Sequence, residues 1–373
     1  MPDSNHLELF EKIAPTIKEN AIGVDATGAF PRASIDAFLG SGLAGLISAA
    51  DIGGSGQGPR AAVEIVEQAA QLCGSTAMII QMHYAGATVI EKFGQEAVRK
   101  DIAAGKHLTT LAFSERGSRS HFWAPQGTAK KVGGGIQLDA HKSWITSASH
   151  AHSYVWSSQP LSAEGMSTIW MVPSDSEGIE ILGTFDGLGL RGNDSQPAKA
   201  NGVIIPEDHI LGEDGGGLAV MLETVLPIFN AMMGGVGSGF MQAATNATIG
   251  HVSKTGYAHL GNELRDLPTI RAYVARMKNK SDAARTLLFD AVTAMETGRE
   301  DAMLRVLQCK AVCGETATEV TELAMRVCGG MAFRKDVGVE RTFRDARAGT
   351  VMAPTTDQLY DFIGKALTGM DVF

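Results

Sequence analysis

Two separated segments carry the residue types that a flat, polar ring requires. The first, LTTLAFSE from Leu108 to Glu115, ends an apolar run in small and hydroxylated residues. Its backbone amides and hydroxyls can meet a polar ring edge with no bulky side chain in the way. The second, Ser143-Trp144-Ile145-Thr146-Ser147, sets a large aromatic among hydroxyls. An indole face and a row of donors converging on one place make a site for a flat heteroaromatic ring. The chain between them must fold back for that to happen. Val132, three glycines from Gly133 to Gly135, and Ile136-Gln137-Leu138 read as a β-hairpin that does so.

The string AFSE-RGSRS followed by SWITSASHA resembles the acyl-CoA dehydrogenase superfamily, whose members usually read TEPxxGSD and then KxWIT. LGLRGNDSQPAKANGVIIPEDHILGEDGGG, from Leu188 to Gly217, resembles the family segment that ends its β-domain, and similar strings extend from Asp51 to Asp357. The resemblance implies a flavoprotein oxidoreductase acting on an acyl-thioester at a CH–CH bond. FAD is the implied cofactor, with FMN left open. A homotetramer or homodimer is implied, with an electron-transfer flavoprotein or a flavin reductase as redox partner. Family cofactor positions fall on Phe113, Ser114, Ser120, Trp144, Thr146, Gly329, Gly330 and Thr355, with Arg326 replacing a usual Gln and Asp357 at a nucleotide-holding position.

Dehydrogenation of a thioester needs a carboxylate to take the α-proton and hydrogen bonds to stabilise the developing enolate. The family's usual glutamate falls here on Ala353, after the well-matched Arg344-Asp345-Ala346-Arg347. The chain is therefore an atypical member by resemblance. A second family position for the base falls at or next to Phe229 and Asn230, neither of which abstracts a proton. Three weaker candidates remain. Glu223 lies about two turns away on a helix, and Asp357 follows Ala353 by four residues, where it reads first as a helix cap or a cofactor contact. An imidazole can take or give a proton, but His121 reads first as a solvent-facing loop residue. Arg116 and Arg119 enter the same SERGSRSH stretch, suited to a carboxylate or phosphate or to pairing with Glu115. Lys254 is the nearest substitute for the family's pyrophosphate-binding arginine.

The elements that must position these groups follow from periodicity. From Leu7 to about Gly105 the pattern is helical, with Val63, Val66, Ala70 and Cys73 on one face. His83, alone in an apolar run, reads as a satisfied core residue. Between Thr109 and Gly212 the period shifts to two, as in a barrel or sandwich. Helical signals then return. Asp266 and Pro268 open one helix, Ile270, Val274, Met277, Ala284, Leu287, Ala291 and Met295 mark its face, and Gly298 stops it. The fold class is α+β multidomain: an N-terminal helical domain over 1–108, a middle β-barrel or sandwich over 109–212 and a C-terminal four-helix bundle over 213–373.

Composition narrows the function classes. The 373 residues are 44% hydrophobic, enough for a substantial core. A net charge of -9 without a Lys/Arg cluster argues against nucleic acid. No membrane span and no secretory leader are expected, and four scattered cysteines fit a reducing, cytoplasmic home. Three functions follow: a dehydrogenase with an unusual substrate or relocated base, a two-component flavin-dependent monooxygenase of the same superfamily, and a non-catalytic flavoprotein subunit. The monooxygenase needs no glutamate at Ala353.

Overall fold

The structure is a computed structural model that describes residues 5–118, 121–259 and 261–372. Arg119 and Ser120 lie outside the described residues. The chain forms two compact units. One comprises Met1–Ile65, Met78–Asp186 and Arg191–Phe229, the other Val66–Ala77, Gly187–Leu190 and Asn230–Phe373.

Helices lead the chain: α1 (Asn5–Thr27), α2 (Arg32–Gly40), α3 (Pro59–Leu72), α4 (Gly74–Phe93) and α5 (Glu96–Ala103). Every residue from Met78 to Ala87 is buried, so α4 is apolar on all sides rather than amphipathic. His83 is neutral there. Its Nε2 lies 3.0 Å from the Ala44 carbonyl, Thr109 N donates to Nδ1 at 3.3 Å, and burial pulls its pKa down to about 4. The core reading of this histidine therefore holds.

Seven strands follow: β1 (Thr109–Ala112), β2 (Thr128–Val132), β3 (Gly135–Ile145), β4 (Ser153–Ser158), β5 (Thr168–Pro173), β6 (Ile179–Ile181) and β7 (Gln196–Ile205). They make two sheets, β1-β4-β5 and β2-β3-β7-β6. Tyr154, Trp156, Trp170 and Val172 of the first share a core with Ile136, Leu138, Ala198 and Val203 of the second. This is a sandwich, one of the two expected β architectures. The β2-β3 hairpin closes with Val132 opposite Gly135. At Gly135 φ is +146°, and a Cβ would lie 2.1 Å from the Ile205 carbonyl oxygen, so no larger residue fits. β1 runs parallel to β4, and the helical segment approaches it through Gly86, where a Cβ would lie 2.9 Å from Thr109 Cγ2.

The C-terminal half is again helical. A short α6 (Gly217–Ala219) passes through a π-helical turn over Val220–Val225 into α7 (Leu226–Val252). The stretch Gly217–Val252 is long and apolar enough to cross a membrane, but 78% of its most apolar window is buried in protein, as for a core helix. A two-stranded ribbon, β8 (Gly256–Tyr257) with β9 (Asn262–Glu263), precedes α8 (Pro268–Thr297) and α9 (Ala302–Cys328). The last helices are α10 (Val339–Ala346), α11 (Ala348–Val351) and α12 (Thr356–Thr368). α7 packs closely on its neighbours through Gly234 and Gly237, where Cβ atoms would meet Leu288 Cδ1 at 2.8 Å and the Cys313 carbonyl oxygen at 2.9 Å. The buried Glu67 carboxylate joins three helices of this unit, accepting from Ser238 Oγ at 2.5 Å and from Arg285 Nε and Nη2 at 2.8 and 2.9 Å.

Two details of α8 differ from expectation. Asp266 does not cap it: the helix starts at Pro268 with Leu267 before it, and Asp266 accepts from Glu263 N at 2.8 Å inside a preceding 3-10 turn. Pro supplies the preset φ, and its missing N–H needs no cap. Leu288, rather than Leu287, turns into the core beside Met277, Ala284 and Ala291, and Ile270 and Val274 are only half-buried. Gly298 stops the helix in the left-handed region as expected, at φ +62°.

Candidate functional site

Within the β-sandwich, Ser114 and Trp144 are brought together by main-chain pairing of loop and strand. Ser143 N donates to the Ser114 carbonyl at 2.9 Å, and Arg116 N donates to that of His141 at 3.2 Å. Between these bonds Glu115 and Lys142 face each other and close an ion pair, Nζ to Oε1 2.5 Å, with side chains 1% and 0% exposed. Every charge in the pair is answered. Lys142 Nζ also donates to Ser157 O at 2.7 Å and Ser157 Oγ at 2.8 Å, while Glu115 Oε2 accepts from Gln126 N at 2.5 Å and Gly127 N at 2.9 Å. Burial lowers the Lys142 pKa to about 8, and the neighbouring carboxylate resists that fall. Glu115 is thus engaged by Lys142 rather than Arg116, which is exposed.

Two residues on, Trp144 leaves the sheet with φ +58° and is 69% exposed. A bulky residue in the left-handed region stores strain and marks a position set by its surroundings. The turn after it is tied to a second turn at 193–196. Ser147 N donates to Asn193 O at 2.9 Å, Ser149 N donates to Asp194 Oδ2 at 2.7 Å, and Thr146 Oγ1 lies 3.1 Å from Ser195 Oγ. The Phe113 side chain is buried, and the buried Ser118 Oγ has no partner. His121 is exposed, its ring edge-on to Trp123 at 5.2 Å. Glu223 is exposed on the π-helical turn.

The other predicted positions belong to the second unit. Arg326 is exposed at the end of α9, its guanidinium 5.1 Å from the Tyr273 ring. Gly329, at φ +57°, and Gly330 follow at the surface, and no atom lies within 4 Å of a Cβ built on either. Thr355 is the N-cap of α12, in a reciprocal capping box with Gln358, so Asp357 stands exposed in the first turn without capping it. Lys254 is exposed beyond α7.

Sequence reasoning passed over Lys310. It is buried on α9, and its Nζ donates to the Met352 and Pro354 carbonyls at 3.0 and 2.5 Å, holding both sides of Ala353. Burial pulls its pKa from 10.5 to about 7. Because the folded value is the lower one, the unfolded chain binds more protons between these pH values, so this group adds stability as pH rises from 7 towards 10. Lys310→Met should then cost more stability at pH 9 than at pH 6; equal losses in urea unfolding at the two pH values would contradict it. Cys309 and Cys313 beside it are buried core residues, burial raising the Cys309 thiol to about 12.

Comparison with known proteins decides the family. The chain matches the acyl-CoA dehydrogenase N-terminal domain over residues 9–105, the middle domain over 110–203 and the C-terminal domain over 215–368. It belongs to the acyl-CoA dehydrogenase family. A probable acyl-CoA dehydrogenase of Mycobacterium leprae is 28% identical, covering 90% of this chain and 86% of that protein. The human mitochondrial short-chain specific acyl-CoA dehydrogenase is 26% identical, covering 90% and 82%. Butyryl-CoA dehydrogenase of Megasphaera elsdenii shares the fold with a TM-score of 0.91 at 22% identity, covering 98% and 97%.

Acyl-CoA dehydrogenases are flavoproteins, and this chain's residues fit such a ring. An uncovered indole and a half-buried Ser114 beside it offer an apolar face next to polar atoms.

Proposed function

We propose that this acyl-CoA dehydrogenase family member is a flavin-dependent oxidoreductase that oxidises an acyl-CoA-type thioester at a CH–CH bond. The observation that carries the reading is Trp144, exposed and strained, fixed beside Ser114 by a closed ion pair. Trp144, the Ser114 backbone and Thr146 hold the ring in this reading, and Gly329, Gly330, Thr355, Arg326 and Asp357 serve the rest of the cofactor. When bound, the flavin supplies the acceptor for the β-hydride. The chain must supply the acceptor for the α-proton, and Ala353 has no carboxylate to do so. The base is then Asp357, Glu223 or His121, all of them exposed. FAD is the proposed cofactor, in a homotetramer or homodimer served by an electron-transfer flavoprotein. The exposure of Phe333, at 81%, beside Gly329 and Gly330 supports a covering partner there.

A second reading is favoured by a specific observation. Neither Ala353 nor the pair Phe229 and Asn230 provides a carboxylate at the family's two base positions, which suits a monooxygenase supplied by a separate flavin reductase. Anaerobic absorbance spectra with a series of acyl-CoA thioesters separate the two. Bleaching of the flavin band by one thioester is expected. Retention of full colour with every thioester would remove the dehydrogenase reading and favour the monooxygenase.

A further inference from the structure

Trp144 is held from two ends. On the side of Lys142 the hold is the bond from Ser143 N to the Ser114 carbonyl, over the closed ion pair. On the other side the register of β3 against β7 shifts. Lys142 lies opposite Ala198 and Ile145 opposite Gln196, so Ser143 and Trp144 together face Pro197 alone. One extra residue in a strand is a β-bulge, and here the indole turns out of the sheet while Ile145 stays fully buried. The chain that follows leaves the strand with Ser147 at φ +56°, in the left-handed region that a residue with a Cβ enters only where its surroundings fix it.

The turn at 193–196 does the fixing, and its two amide-type side chains divide the work. Asn193 Oδ1 accepts from Ser195 N at 3.2 Å, inside its own turn. The Asp194 carboxylate crosses to the other turn. Its Oδ2 accepts from Ser149 N at 2.7 Å, and its Oδ1 accepts from Gln196 Nε2, which also donates to Ser149 Oγ at 3.2 Å. The Asp194 carbonyl accepts from Ala148 N at 3.1 Å, and Thr146 Oγ1 lies 3.1 Å from the hydroxyl of the next residue, Ser195. Asp194 itself stands at φ +54°, which Asp and Asn tolerate better than most side chains. The position thus asks for a residue that enters the left-handed region and offers acceptors to two donors. We propose that Asp194 is a positioning residue for the flavin ring: acting through the turn, its carboxylate keeps Trp144 and Thr146 where the ring meets them. This deepens the reading that Trp144 lies against the ring, and rests on it.

The test reloads the flavin-stripped protein with FAD and reads two quantities: the dissociation constant, and the quenching of FAD emission by an indole against the ring. Asp194→Ala should weaken FAD binding at least about fivefold, as the loss of one hydrogen bond to a charged group would, and raise the emission of bound FAD to that of Trp144→Ala. Asp194→Gly should do the same while melting higher than Asp194→Ala, because glycine accepts φ +54° without strain; it also serves if the alanine variant does not fold. Asp194→Asn should stay within about twofold of the wild type, since the introduced amide can accept from Ser149 N and donate to Gln196 Oε1, which is buried and has no partner. In the double variant, Trp144→Ala with Asp194→Ala, the two losses should not add, because one residue acts through the other. An aspartate that only supports the fold would lower the melting temperature and leave the FAD constant and emission at wild-type values. That result beside a weakened Trp144→Ala, or losses that add in the double variant, overturns the proposal alone. Wild-type FAD affinity in Trp144→Ala overturns the ring reading and the proposal with it.

Discussion

Lys142→Met should destabilise the β-sandwich by about 3–5 kcal/mol, the cost of leaving a buried charge without its partner. The change leaves the Glu115 carboxylate, 1% exposed, without its countercharge and removes the donor that Lys142 gives the Ser157 carbonyl and hydroxyl. Glu115→Gln should be costly for the mirror reason, since the ammonium keeps Ser157 but loses its countercharge. The double replacement, Glu115→Gln with Lys142→Met, should be milder than the sum of the two, because a pair removed together leaves no orphaned charge. Trp156 and Trp170 are buried in the same sandwich and report its unfolding through their emission in urea. Single variants that each lose less than about 1 kcal/mol, the range of an exposed pair, would show that the pair is not closed as described. The loop at Ser114 should loosen along with stability, because the same pair spans the two main-chain bonds that hold Ser114 beside Trp144.

Trp144→Ala should give the opposite combination. The side chain is largely uncovered in the folded chain, so its loss should change stability by no more than about 0.5 kcal/mol. Flavin affinity should fall at least about tenfold, since an aromatic stacking partner is worth about 0.5–1.5 kcal/mol beyond the area it covers. Trp144→Gly separates ring from backbone. Both variants lose the indole, but only glycine accepts φ +58° without strain, so Trp144→Gly should be more stable than Trp144→Ala by about 1 kcal/mol. Flavin retention on a desalting column and thermal melts of the stripped protein measure the two effects. Full retention of flavin by both variants would remove Trp144 from the ring.

The sequence by itself determined the order of elements and the family, because both are written in local patterns. Apolar spacing near 3.6 and near 2 separated helices from strands, the triple glycine located the β2-β3 turn, and Gly298 located the end of α8. Motif spacing singled out Ser114 and Trp144 and exposed the alanine at position 353. Tertiary structure decided what those residues touch. Nothing in SERGSRSH tells Glu115 to ignore the adjacent Arg116 and reach Lys142, because that choice is made when the loop pairs with β3 and water is excluded from the space between. Asp266 has a capping side chain, but the helix starts at Pro268 with Leu267 before it, and the preceding 3-10 turn uses the carboxylate first. Lys310 and Asn230 look like ordinary helical residues until burial withdraws water from them. One then finds two carbonyls and the other finds no partner, a difference fixed by packing between distant segments and absent from either residue's neighbours in the chain.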